Sequence, residues 1–200
     1  TNAAYGVGSY VKGHVFLTQL QYIMGKPVFD RAMLRYFDTW KFKHPNPNDF
    51  IRIMELESGL ELDWFKEYFV YTTRTVDYAL QSVEKLNRKE TRVTLSNNSL
   101  MPMPLDVVVF YKNGDREVFN IPLDIMRGAK PNEFGKAKYT VLPDWRWTHP
   151  TYQFTVPENI RQVDKIEIDP SMRLVDSNRE NHAWLKEGSS EKEENEGKND

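Results

Sequence analysis

The chain has 200 residues, 40% of them hydrophobic and 13% aromatic, with 27 basic against 29 acidic side chains and a formal net charge of −2. That is enough apolar material for the core of one large domain or two small ones, and it leaves no basic footprint for nucleic acid or an anionic membrane. Cysteine is absent, which excludes disulfides, thiolate metal sites and thiol nucleophiles together, and no apolar run approaches the length of a membrane-spanning helix.

The opening "TNAAYG" has no initiator methionine, basic n-region or apolar h-region, and it reads as a cut from a longer polypeptide. From Ser9 to Met24 the apolar positions Val11, Val15, Phe16, Leu20, Ile23 and Met24 recur at helical steps, which predicts an amphipathic helix. Gly25 suits its C-terminal cap and Pro27 the first turn of a second helix, with Phe29, Met33, Tyr36, Phe37 and Trp40 on one face. "KFKHPNPND" breaks the pattern, and Asn48 or Asp49 can cap a third helix through "FIRIMELES" that stops at Gly59. A fourth, "LDWFKEYFVY", puts Leu62, Phe65 and Phe69 on one side. Four short helices with short links predict an antiparallel helical subdomain.

"TTRTVDYALQSVEK" fits either a short strand or a bridging segment. From Thr91 the period becomes two: "TRVTL", "LDVVVFY", "REVFNIPL", "YQFTV" and "VDKIEID" are short β-like runs. Asn113-Gly114 marks a hairpin with a type I′ turn. The pattern predicts an α+β chain: helices over 1–89, an antiparallel β-sandwich over 90–185, and a disordered acidic tail over 186–200.

The sets of residues that carry hydrolytic chemistry are absent. There is no H-E-x-x-H, G-x-S-x-G, P-loop or G-x-G-x-x-G. His14, His44, His149 and His182 are scattered without ligand spacing, so no metal site within this chain is expected. Glu55 with Glu57, and Glu61 with Asp63, read as solvated helix faces and caps. Trp145 and Trp147 are two apart and would share one face of a strand. Buried, they anchor an interface; exposed beside Tyr152, they would form a sugar-stacking platform, and burial is the expectation. Asn97-Asn98-Ser99 reads as a turn.

"SYVKGHVFLTQLQYIMGKPVFDRAMLRYF" resembles the segment that follows the zinc site in the aminopeptidase-N-like zinc metallopeptidases, the gluzincins, in a bacterial branch. "WKFKHPNPNDFIRIMELESGLELDWFKEYFVYTTRTVDYAL" continues the likeness, which covers about residues 5 to 80 well. The strand-rich part is similar, more loosely, to the family's β-sandwich, down to the ending "IDPSMRLVDSNRENHAW", where His182 replaces a commoner asparagine. The resemblance implies the C-terminal part of a zinc aminopeptidase: the last helices of a thermolysin-like catalytic domain, then a sandwich. Zinc, held by H-E-x-x-H and a further glutamate, would activate water in the full-length parent, and a Gly-x-Met-Glu-Asn motif would grip the amino group of a peptide substrate. Those motifs would lie upstream of Thr1, packed on residues 1–89, so the isolated chain is expected to bind no zinc and cleave nothing. By match to Tyr-x-Lys-Gly, Tyr10 would donate a hydrogen bond to the oxyanion, and Gly13 would let the helix pack closely. Lys12 is assigned no catalytic role, and Tyr5 is either a pocket-lining, substrate-binding residue or plain packing. By the same resemblance, export to the periplasm or cell surface is plausible for the parent. The competing readings are a scaffold of the same fold without zinc ligands and a carbohydrate-binding sandwich.

Overall fold

The computed structural model describes residues 2–186, so the acidic tail expected over 186–200 lies, Lys186 apart, outside the described residues. The chain opens as one helical rod that changes pitch: α1 (Asn2–Tyr5) passes into a π-helical turn over Gly6–Val11 and then into α2 (Lys12–Met24). Only the end of α2 is embedded, through Gln19, Leu20, Tyr22, Ile23 and Met24, whereas residues 7–12 are exposed. Gly25 ends the rod at φ +79°, where a Cβ would be strained, and Pro27 opens α3 (Lys26–Trp40), as the sequence predicts.

α3 runs antiparallel to α4 (Pro47–Ser58): Tyr36 stacks edge-on against Phe50 near one end, and Arg31 and Arg35 reach Glu57 near the other. The cap of α4 is Asn46, two or three residues before the expected ones. Its side chain accepts from the backbone N–H groups of Asn48 (2.8 Å) and Asp49 (3.2 Å), and Asp49 accepts from the Asn46 N–H (2.8 Å), a capping box. The reason is Pro47, which forces the residue before it into the extended backbone an N-cap needs. Gly59 closes the helix in the left-handed region, and α5 (Asp63–Tyr71) follows. Phe16 of α2 fills the space between, with ring centroids 5.0 Å from Phe65, 5.4 Å from Phe69 and 6.3 Å from Phe50.

Two sheets follow. One has three antiparallel strands in the order β1 (Tyr78–Lys85), β2 (Thr91–Asn97), β6 (Thr151–Val156). The other has five, β5 (Lys138–Val141), β4 (Arg116–Ile121), β3 (Leu105–Tyr111), β7 (Val163–Ile168) and β8 (Ala183–Leu185). Val93, Leu95, Phe154 and Val156 from the first meet Val107, Val109, Phe119, Ile121, Ile166 and Ile168 from the second in one core, with Phe119 and Phe154 ring centroids 5.1 Å apart. The sheets begin at Tyr78, ahead of the residue-90 boundary the sequence pattern suggests. A register shift between Leu80 and Ser82 breaks the period of two in β1, which is why that stretch reads ambiguously. β5 pairs with β4 in parallel, Glu117 opposite Lys138, so the larger sheet is mixed rather than purely antiparallel. Residues 122–137 supply the crossover that a parallel pair requires. At the hairpin Asn113 does not take positive φ; Gly114 does, at +87°, and its N–H donates to the Tyr111 carbonyl (3.0 Å). That is a type I turn closed by a left-handed glycine, which replaces the expected type I′ turn.

Helices and sheets share one hydrophobic cluster, and a buried charge centre crosses between them. Lys130, 3% exposed in its side chain, gives its ammonium protons to Asp106, to Glu133 (2.8 Å) and to the Tyr22 carbonyl (3.0 Å), and sits 4.3 Å from the centre of the Tyr22 ring. Tyr22 Oη accepts from the Asp106 N–H (2.9 Å), while Asn120 donates to the Asp106 carboxylate (2.9 Å). Glu133 also takes two bonds from Arg173 and one from the Lys26 N–H (3.1 Å). Burial pushes both carboxyls up. At Asp106 burial prevails over Lys130 and the group is raised; at Glu133 the Arg173 and Lys130 bonds prevail and hold it down at about 2.

Lys130→Met leaves two buried carboxylates short of their cation, so it is expected to lower unfolding free energy by about 3–5 kcal/mol. Urea denaturation checks this, and a loss below about 1 kcal/mol contradicts it. Glu133 has a depressed folded pKa, so its contribution is present above the ordinary carboxylate range and lost as pH falls toward about 2. Glu133→Gln should therefore flatten the acid limb of the stability profile between about pH 5 and 2, read from urea midpoints across that range.

Candidate functional site

Tyr10 stands on the π-helical turn, 69% exposed, and Tyr5, 66% exposed, stands at its start. Their rings meet edge to face, with centroids 6.0 Å apart and planes at 81°. Val7 and Val11 are exposed beside them, so the projecting end of the rod carries a run of apolar and phenolic side chains without cover from the described residues. Gly13 follows at the start of α2; a Cβ there would meet nothing within 4 Å, so its lack of one serves no contact inside this chain. Lys12 leans back over the ring of Phe69, its Nζ 5.5 Å from the centroid, and so ties the turn to α5.

His14, His44 and His149 are exposed, while His182 is buried with Nε2 3.0 Å from Asp176 Oδ2. The paired carboxylates have structural partners. Glu55 accepts from the Leu62 N–H (2.9 Å), Glu57 pairs with Arg35 (2.7 Å), Glu61 faces Arg127 (3.7 Å) and Asp63 holds the largely buried Lys66 (2.8 Å). Among the described residues no three His, Cys, Asp or Glu side chains converge as a metal-holding group, and no helix is long and apolar enough to cross a membrane.

An open groove of about 730 Å³ on the sandwich is walled by the β3–β4 hairpin, the start of β5 and residues 157–162. Its buried carboxylate, Glu117, is taken up by Lys138 (2.7 Å), Thr140 (3.1 Å) and Tyr111 (3.2 Å). Trp145 is 2% exposed, set edge-on to Tyr78 and tilted over Tyr152. Trp147 is half-buried against Tyr68 of α5. The expectation of burial holds for Trp145 and in part for Trp147, and the two form no exposed coplanar pair.

Sequence reasoning missed two features. One is the π-helical turn, whose only local signal is the Gly6-Val7-Gly8 spacing between the tyrosines. The other is the Lys130 charge centre, assembled from residues far apart in the chain: Tyr22 and Lys26, Asp106, Asn120, Lys130 and Glu133, and Arg173. Residues 1–69 match the family model of the peptidase family M1 domain, which bears out, over that stretch, the resemblance stated from the sequence. No curated protein matches the chain.

Proposed function

We propose that this chain, whose residues 1–69 belong to a peptidase family M1 domain, forms the C-terminal portion of a zinc aminopeptidase that hydrolyses N-terminal peptide bonds, with Tyr10 as its oxyanion donor. The observation that carries the reading is the place of Tyr10: within the matched stretch, on a rod that projects from the body with its phenol unengaged. The exposed run of Tyr5, Val7, Tyr10 and Val11 supports a catalytic half of the same protein packed on this side, with Tyr5 in the wall of the substrate pocket. The metal-holding residues would lie outside the described residues.

Within this chain the chemistry is that of a neutral donor. A phenol near pH 7 carries no charge, turns on two torsions, and offers one O–H to an oxygen that becomes negative as the carbonyl is attacked. The bond strengthens as charge develops and so favours the transition state over bound substrate. One such donor is worth roughly 2.7–4 kcal/mol, or about 10²–10³ in rate. The division at the Tyr71–Tyr78 link supports a catalytic helical end followed by a sandwich that acts as its support.

The test uses the longer protein, with aminoacyl-nitroanilide substrates, with and without a chelator. Wild type should be active and chelator-sensitive, and Tyr10→Phe should lose about 10²-fold or more in kcat while keeping its metal. Full kcat in Tyr10→Phe overturns the assignment. The 200-residue chain alone should neither cleave these substrates nor hold zinc, and stoichiometric zinc at micromolar affinity overturns that expectation.

A further inference from the structure

We propose that Tyr5 is a positioning residue for Tyr10, brought against it by the π-helical turn; this rests on the oxyanion role proposed for Tyr10. In an α-helix of 3.6 residues per turn, side chains five apart point about 140° away from each other, and only those three or four apart meet. Here the Lys12 N–H donates to the Val7 carbonyl, an i→i+5 bond, and the π-helical turn spans Gly6–Val11. A turn of i→i+5 bonding takes up about one residue more than an α-turn, which carries Tyr5 and Tyr10 onto one face and lets their rings meet at 6.0 Å and 81°.

Among the described residues the contact has no competitor. Both rings are about two-thirds exposed, and among the described residues neither phenol has a hydrogen bond and neither ring another aromatic neighbour. Among the described residues, a Cβ at Gly6 or Gly8 would meet nothing within 4 Å. Among the described residues, the edge-to-face geometry, favoured by the ring quadrupoles, is what orients the ring of Tyr10. A donor placed this way keeps its aim before substrate arrives, which is where preorganised donors gain their effect. The positioning role belongs to the ring of Tyr5 rather than to its hydroxyl.

The experiment compares Tyr5→Phe, Tyr5→Leu and Tyr10→Phe in the longer protein, together with ring-proton NMR of the 200-residue chain with labelled tyrosine. Tyr5→Leu should lower kcat about 3- to 10-fold, and Tyr5→Phe, which keeps the ring but alters the pocket wall, should lower it less. In the NMR arm the Tyr10 ring signals should move toward free-tyrosine positions in Tyr5→Leu and hold in Tyr5→Phe. Unchanged kcat in Tyr5→Leu, or unmoved Tyr10 signals, overturns the proposal. A Tyr5→Phe variant that loses as much kcat as Tyr5→Leu also overturns it, since the ring alone then does not carry the effect. Full activity in Tyr10→Phe removes the oxyanion role and this one with it, and is told apart from loss of the ring pair because the Tyr10 signals would still respond to Tyr5→Leu.

Discussion

The ammonium of Lys130 is the point on which helices and sheets are fixed to each other. An isolated buried ammonium is costly, and here each of its three protons is committed, to the sheet through Asp106, to its own loop through Glu133 and to the end of α2 through the Tyr22 carbonyl. Glu133 then reaches the N–H of Lys26, one residue past Gly25. The chain is thus held on both sides of the Gly25 bend, which sets the angle at which α2 leaves the body. Everything further out along the rod, including Tyr10, inherits its direction from that grip.

The rod itself becomes weaker with distance from the grip. Its embedded end buries Leu20, Ile23 and Met24 completely, and Phe16 still has three aromatic neighbours. Beyond Lys12, which rests on Phe69, the described residues give the turn only the Tyr5–Tyr10 pair. Two glycines within Gly6–Val11 each cost about 1 kcal/mol against alanine in an α-helix, and short helices without tertiary contacts are marginal in water. A local order this slight suits a segment that is completed by other parts of a domain, and in the reading proposed above those parts are the ones that hold substrate and metal.

What the sequence made legible were features with local causes. Gly25, Pro27 and Gly59 mark helix ends because their conformational preferences act on one residue at a time. Where two local preferences competed, the sequence misled: Pro47 moved the α4 cap to Asn46, and the order Asn113 then Gly114 served a type I turn as readily as the primed one. The register shift in β1 erased the alternation that would have marked a strand. The π-helical turn was invisible because periodicities of 3.6 and 2 have no place for a turn with an extra residue. Tyr10 was legible through the resemblance of "SYVKG" to a family motif; from its own pattern it is one of ten tyrosines.

The two tryptophans of "WRW" show why the helical part and the sandwich belong to one core despite their different periods. Trp145 lies between Tyr78 at the start of β1 and Tyr152 on β6, with its indole N–H given to the His149 carbonyl (2.9 Å). Two residues on, Trp147 turns instead to Tyr68 of α5, whose other neighbour is the guanidinium of Arg74, 4.7 Å from the ring centre. This aromatic bridge ties α5 to the sandwich, as the Lys130 centre ties the α2–α3 bend to it. One tie alone would leave the helices free to pivot. Two ties on different helices remove that freedom, and the base of the projecting rod then holds a fixed place relative to the sheets.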